Sequence, residues 1–150
     1  MSKYTLDYEE EYDFELIGIA SAIPGYKIAC HINKLLDISL SRINDHVVAI
    51  ESKINIGEIS FENPQGNSIR YSRYQYERWG DEIIYNLLSL KSQGQVLSKE
   101  LEVFDYLLKI ENNQGLAQEH LKILQIAEPF NLVRLIEVEN HNLEFMSTIL

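Results

Sequence analysis

Two carboxylates and an imidazole alternate near the carboxyl end of the sequence, in the stretch EVENH. On an extended strand, Glu137, Glu139 and His141 would project from one face. Such a set could bind a divalent metal ion or act as an acid–base pair. A solvent-facing strand whose other face, Ile136 and Val138, packs in the core has the same pattern. We predict the second arrangement, and therefore neither a metal site nor a cofactor.

A second group of acids lies beside aromatic residues in LSKELEVFDYLLKI, residues 97–110. Glu100, Asp105 and Tyr106 would suit the active site of an enzyme that uses carboxylates. The segment also has the alternation of a buried strand face, formed by Phe104, Tyr106, Leu108 and Ile110. We therefore predict a core strand over residues 104–111, with the Asp105 carboxylate bound to backbone amides at its start.

Arginine and aromatic residues are mixed in IRYSRYQYERW, residues 69–79. Strand alternation places several of them on one face: Arg70, Ser72, Tyr74, Tyr76 and Arg78. Such mixtures are enriched in protein–protein interfaces, and they also stack on bases and hold phosphates. A structural strand, with tyrosines at the core edge and arginines paired with acids, is the simplest interpretation. The candidate interaction surface comprises Arg70, Arg73, Tyr74, Tyr76 and Arg78.

The formal net charge of the chain is −10, and the acids are concentrated at its start. The first fifteen residues contain six acids and one lysine, which we interpret as a solvated run. An acidic protein repels the phosphates of nucleic acids and of anionic membranes. We therefore predict no nucleic-acid partner and no membrane partner.

Cys30 is the only cysteine, so the chain has no internal disulfide. It lies in a predicted helix without an adjacent base, and we expect no nucleophilic role. The N-terminal segment lacks the apolar run of a signal peptide, and no run elsewhere reaches the twenty or so apolar residues of a membrane span. The expected location is the cytoplasm.

The motifs of several common enzyme classes are missing from the sequence. It contains no Gly-rich phosphate loop, no GxSxG, no HExxH and no paired-cysteine motif. The four histidines do not have the spacing of chelating pairs: His31, His46, His120 and His141. We therefore predict a protein that is not an enzyme.

Hydrophobic periodicity and turn residues predict the elements that position these groups. Two helices are expected over residues 26–37 and 116–128, each with one apolar face. In the first, the apolar face comprises Ile28, Ala29, Ile32, Leu35 and Leu36. Strands are expected over residues 13–21, 38–50, 59–61, 69–76, 83–92, 104–111 and 130–140.

The predicted fold is a single α+β domain over residues 1–150, with an acidic segment at 1–12 and a docked tail at 141–150. The order is strand, helix, several strands, helix, strand, which favours a mainly antiparallel sheet with both helices packed on one face. Adjacent strands in the middle are expected to form a meander. A chain of this length buries roughly two thirds of its surface and needs no metal or disulfide for stability.

The stretch around residue 100 resembles the signature of the IPExxxVDY family of small bacterial proteins. Three signature positions match, at Glu100, Asp105 and Tyr106, and three differ, at Ser98, Lys99 and Phe104. The stretches FELIGIAS, YKIACHINKLL, SRYQYE and DYLLKI follow the order of the family along most of the chain. The resemblance implies a bacterial cytoplasmic protein without recognised catalytic residues, and it implies no particular activity.

Three functions are compatible with these observations. The first is a non-catalytic cytoplasmic module that acts through protein contacts, with self-association as a homodimer at a sheet edge or face. The second is a regulatory domain that senses a small ligand, by analogy of architecture. The third is an enzyme that uses carboxylates, for which the candidate groups are Glu137, Glu139 and His141, or Glu100 and Asp105. We predict the first.

Overall fold

The structure is a computed structural model that describes residues 14–49, 68–80, 82–111 and 115–137. Its helices are α1 Gly25–Leu36 and α2 Leu116–Gln125, and a short 3₁₀ helix spans Lys99–Leu101. The strands are β1 Phe14–Ala20, β2 Ser41–Ala49, β3 Ser68–Arg78, β4 Ile83–Ser89, β5 Lys91–Ser92, β6 Gln95–Val96, β7 Tyr106–Glu111 and β8 Leu132–Ile136.

Six strands form one sheet in the order β2-β3-β4-β7-β1-β8, and every neighbouring pair is antiparallel. Two strands of the predicted meander are confirmed as antiparallel neighbours, since β3 and β4 pair directly. β7 and β8 both pair with β1, so they run parallel to each other on either side of it. The predicted α+β class and the order of elements are therefore confirmed, while the segments 1–12 and 141–150 lie outside the described residues.

Helix α1 forms because its apolar residues return every three or four positions. Ile28, Ala29, Ile32 and Leu36 are buried, whereas Leu35, predicted for the same face, is 37% exposed. Asp37 ends the helix in a left-handed conformation, with φ of 58°. Its backbone N–H donates to the carbonyl of Asn33, which satisfies one terminal acceptor of the helix.

Helix α2 packs on the same face of the sheet through Ala117, His120 and Leu124. It ends at Gln125, three residues before the predicted end. Two turns follow the helix. The Ala127 N–H donates to the carbonyl of Leu124, and the Phe130 N–H donates to the carbonyl of Ala127. Both helices thus cover one face of the sheet, hereafter the helix side.

The opposite face of the sheet has a core of its own. Part of this face is covered by the segment 90–105, which we call the cover segment. The cover segment contains the β5–β6 hairpin and the 3₁₀ helix. Leu90, Leu101 and Phe104 of this segment pack on Leu88 and Leu107 of the sheet. The sheet is therefore buried from both sides at its centre, and strand β7 is buried on both faces.

Three details of the predicted strands are wrong. β7 begins at Tyr106, and Phe104 packs on the opposite face from Tyr106 and Leu108, because the chain enters the strand from the cover segment. The predicted strand 83–92 divides at Leu90, whose backbone N–H donates to the carbonyl of Asp105 instead of continuing β4. The predicted strand 130–140 is observed as Leu132–Ile136, so it begins two residues late and ends before residue 137. Residues 138–140 and the predicted strand 59–61 lie outside the described residues.

Candidate functional site

Asp105 and Tyr106 bind the loop between β1 and α1. One Asp105 carboxylate oxygen accepts a hydrogen bond from the Ser21 backbone N–H at 2.8 Å, and the other lies 3.1 Å from Lys91 Nζ. The Tyr106 hydroxyl donates to the carbonyl of Ile23 at 2.8 Å. These bonds hold the loop against the start of β7, so the predicted contact of Asp105 with a backbone amide is confirmed.

The same loop is bound to the segment that precedes β8. The Ser21 hydroxyl donates to the carbonyl of Pro129 at 2.6 Å, and the Asn131 backbone N–H donates to Ala20 at 2.8 Å. The pKa of Tyr106 is raised, first by burial and then by the nearby Asp105 carboxylate and Tyr74. The Tyr106 phenol therefore stays protonated and acts as a donor, which is a structural arrangement rather than a nucleophilic one.

Glu100 lies elsewhere, at an exposed position of the 3₁₀ helix of the cover segment. The oxygens of the half-buried Asp105 are bound to Ser21 and Lys91. The three signature positions thus have different environments: Tyr106 is buried, Asp105 is half-buried and Glu100 is exposed. This separation does not resemble a pair of carboxylates that share one substrate.

Replacing Asp105 with alanine is expected to lower the free energy of unfolding by about 1–3 kcal/mol, because the buried Ser21 N–H would lose its acceptor. Asp105→Asn retains an acceptor and removes only the charge that faces the exposed Lys91, so a loss below about 1 kcal/mol is expected. Urea unfolding measures the loss of stability in each variant, and hydrogen exchange measures the protection of the Ser21 amide. Equal losses for the two variants would contradict this account of Asp105.

The five residues of the candidate interaction surface occupy both faces of β3. Tyr74 is buried beneath α1, and Tyr76 is half-buried with its ring centroid 6.0 Å from that of Tyr85. Arg73 pairs with Leu88 on the opposite face, while Arg70 is exposed and Arg78 is half-buried next to the turn. The tyrosines therefore belong to the helix-side core or its edge, as the structural interpretation of this strand expects.

The turn after β3 carries a feature that the sequence analysis did not single out. Trp79 is 88% exposed at the tip of the β3–β4 hairpin. Gly80 follows with φ of 95°, and the Glu82 backbone N–H donates to the Arg78 carbonyl at 3.0 Å, which closes the turn. The order Trp-Gly was a visible signal for a turn, since glycine readily adopts positive φ.

A buried tyrosine–histidine pair was also missed. The Tyr85 hydroxyl and His120 Nε2 are 2.9 Å apart between β4 and α2, and both residues are buried. The spacing of Ala117 and Leu124 allows either His120 or Leu121 on the buried face of α2, and the structure places His120 there. Its partner on β4 could not be identified from the sequence. Its pKa is lowered, chiefly by burial, although Glu119 favours the cation and Arg78 opposes it.

Lys109 is the third unexpected group, because it is only 1% exposed in the middle of β7. Its Nζ lies 2.9 Å from Glu111 Oε2 and 4.8 Å from the ring centroid of Phe14. The contact with Glu111 has the distance of an ion pair without the angles of a hydrogen bond. Gln75 and Asn86 bond to each other at 3.0 Å on the same cross-strand row, so this part of the opposite face is polar.

The remaining predicted groups are dispersed. Cys30 is exposed on α1, and Glu137 is exposed just beyond β8. Glu139 and His141 lie outside the described residues. Among residues 14–49, 68–80, 82–111 and 115–137, no group of three or more His, Cys, Asp or Glu side chains could hold a metal ion. Neither helix in these ranges has the length and hydropathy needed to cross a membrane.

Comparison with known proteins adds no assignment: no family model matches the chain, and a search of the curated proteins finds none that matches. Membership of the IPExxxVDY family therefore stays a prediction that depends on Glu100, Asp105 and Tyr106. Of these residues, Asp105 and Tyr106 stabilise the loop after β1. Among the described residues, Trp79 is the large hydrophobic side chain with the highest exposed fraction, 88%.

Proposed function

We propose that the protein is a non-catalytic protein-interaction module, and that the tip of the β3–β4 hairpin, Arg78–Gly80, is its principal contact. The observation that supports this proposal is the 88% exposure of Trp79. A tryptophan side chain offers roughly 200 Å² of mostly apolar surface, and burying it in a partner contributes roughly 5 kcal/mol before the costs of association. Trp and Arg are the residues most enriched among those that dominate binding energies.

The hairpin is well suited to present this side chain, because its base is rigid. β3 and β4 pair without interruption from Arg73 and Leu88 to Arg78 and Ile83. Behind the tip, the rings of Tyr76 and Tyr85 pack together on the helix-side core. A rigid anchor loses little conformational entropy on binding, which favours affinity.

A second copy of the chain is the first partner to test. Both edge strands of the described sheet, β2 and β8, have one side that pairs with no other described strand. The pairing of β2 is irregular between Ile43 and His46, a feature that discourages edge-to-edge association along its full length. Self-association would therefore use the hairpin tip or β8 rather than the whole of β2.

Replacing Trp79 with alanine is expected to weaken binding to the partner by about 30-fold or more, equivalent to about 2 kcal/mol. The same change is expected to alter the free energy of unfolding by no more than about 0.5 kcal/mol, because the side chain is exposed. Sedimentation equilibrium measures self-association, and affinity capture followed by titration of each identified protein measures heterologous binding. Trp79→Phe, which retains an aromatic ring, should restore part of the affinity.

Val103→Ala is the matched control, since Val103 is 58% exposed on the cover segment and far along the chain from the hairpin. It should leave binding unchanged. A chain that stays monomeric, and whose captured proteins bind Trp79→Ala as tightly as the original, would contradict the proposal. A salt-sensitive mobility shift with single-stranded RNA would favour a nucleic-acid function instead.

The cytoplasmic location and the relation to the IPExxxVDY family are parts of the same proposal. A lone cysteine supports a reducing compartment, because it cannot form an internal disulfide. The family relation is supported by the matching Glu100, Asp105 and Tyr106. Fractionation of cells that produce the protein tests the location directly.

A further inference from the structure

One hydrogen bond between side chains joins the middle of α2 to the sheet beneath it. His120 is 8% exposed, and its Nε2 lies 2.9 Å from the hydroxyl oxygen of the fully buried Tyr85. The ring centroids of His120 and Tyr85 are 5.7 Å apart, and those of Tyr76 and Tyr85 are 6.0 Å apart. The contact therefore connects α2 with the β3–β4 hairpin.

The other ring nitrogen of His120 has no acceptor among the residues that the structure describes. His120 Nδ1 is buried and has no hydrogen-bond partner among the described residues. A neutral imidazole carries one N–H, which leaves the Tyr85 contact intact in either tautomer. An imidazolium carries two N–H groups, so protonation would place a charged donor in the core without an acceptor.

The groups on the surrounding elements add little support for a cation at this place. Arg78 on β3 is positive and disfavours the His120 cation, whereas Glu119 on α2 favours it. From β4, the Tyr85 hydroxyl is the group that contacts the His120 ring. From β1, Glu15 lies on the cross-strand row of Tyr85 through Ile110, but it is not among the charged groups that shift the pKa of His120. β8 presents Val133 to this side, while the charged residues of α1 are exposed at Lys27 and Lys34.

We infer that the His120–Tyr85 pair is a proton-controlled latch: neutral His120 holds α2 against the sheet, and protonated His120 releases it. Release would open the contacts of Ala117 and Leu124 with the helix-side core, which are the other buried anchors of α2. The latch is independent of the proposed role of Trp79, because it concerns a buried contact within one chain.

The direction of the pH dependence follows from the contact. Burial is the largest cause that lowers the pKa of His120 in the folded protein, whereas in the opened state the pKa returns to about 6.5. The free energy that favours α2 docked on the sheet over α2 released from it is therefore at its maximum above pH of about 6.5. This free energy declines as the pH falls from that value toward the folded pKa of His120. In this window the opening equilibrium of α2 should rise about tenfold per pH unit, since one proton is taken up on opening.

Hydrogen exchange of the α2 amides tests the latch on the full chain, with rates corrected for the intrinsic effect of pH. The amides of Leu116–Gln125 should lose protection about tenfold per pH unit below pH of about 6.5, while those of β7 should not. NMR titration of the His120 ring should give a folded pKa below the ordinary value. A ring that titrates at or above the ordinary value, or α2 amides without a pH-dependent opening, would overturn the inference.

Two variants separate His120 from other titrating groups. His120→Gln retains a group that can bond to Tyr85 but cannot titrate. The pH dependence of α2 opening should therefore disappear in this variant, even if the rate of opening itself changes. His46→Gln removes the histidine on β2, whose pKa is also lowered by burial and by Arg73, and it should leave the dependence unchanged. A pH-dependent opening that persists in His120→Gln would contradict the latch.

Discussion

Replacing Gly18 with alanine is expected to lower the free energy of unfolding by about 2 kcal/mol, and Gly18→Val by about 3 kcal/mol or more. A Cβ at this position would lie 2.7–2.8 Å from three carbons of the Phe104 ring. The ring cannot move aside easily, because Phe104 is buried in the opposite-face core and its backbone N–H donates to Leu101. The side chain would displace the cover segment from β1.

Gly25→Ala is the matched control for this prediction. A Cβ at Gly25 would be 3.5 Å from Ser72 Oγ and 3.6 Å from Tyr74 and Tyr106, which is ordinary contact. As the first residue of α1, Gly25 should accept alanine with a change of less than about 1 kcal/mol. Urea unfolding followed by far-ultraviolet circular dichroism is the suitable measurement, because the indole of Trp79 is exposed and reports little on the core.

A double-mutant cycle identifies the cause. In the Phe104→Ala background, Gly18→Ala should cost little or add stability, since the methyl group would occupy space left by the ring. A loss of about 2 kcal/mol that persisted without the Phe104 ring would show that strand conformation, not the ring, requires glycine at this position.

The ion pair of Lys109 and Glu111 is expected to respond asymmetrically to mutation. Glu111→Ala should lower the free energy of unfolding by about 2–3 kcal/mol, because it leaves a buried ammonium group without its carboxylate. The loss is below that of a fully buried pair, since the Glu111 side chain is 30% exposed. Lys109→Met should be neutral or stabilising, because methionine fills similar volume without a charge and Glu111 can be hydrated.

The same urea measurement applied to both single variants and to the double variant tests this asymmetry. In the double variant, Lys109→Met should recover most of the stability lost in Glu111→Ala. If Lys109→Met were the more damaging change, then the contact of Lys109 Nζ with the Phe14 ring would be the dominant interaction. Phe14→Leu in the original background would then reproduce the loss.

The sequence predicted the elements better than it predicted which face each residue occupies. The apolar spacing of Ile28, Ile32 and Leu36 placed α1 to within one residue at each end, because a helix face is determined locally. Phe104 was assigned to the wrong face since its orientation depends on the cover segment, whose position is fixed by long-range bonds such as Leu90 N–H to Asp105. The alternation of apolar and polar residues in the sequence does not show such a change of chain direction.

The candidate site was predictable only in part, for the same reason. The residue type of Asp105 indicated a bond to a backbone amide, but its partner Ser21 is 84 residues away. The burial of Lys109 could not be predicted, because no pattern in the sequence shows that Glu111 and Phe14 would enclose it. Trp79 was passed over within a segment whose tyrosines proved to be core residues.

The position of β1 between β7 and β8 has a consequence for synthesis of the chain. β1 ends at Ala20, and both of its neighbours lie beyond residue 105. At about 5–20 residues per second, the ribosome completes β1 roughly 4–17 seconds before its first partner strand exists. During that interval β1, whose residues are mostly apolar, has no partner strand, and it directly follows a segment with five acids, residues 7–13. Because like charges repel, we expect these acids to lower the tendency of the unpaired strand to associate with other nascent chains.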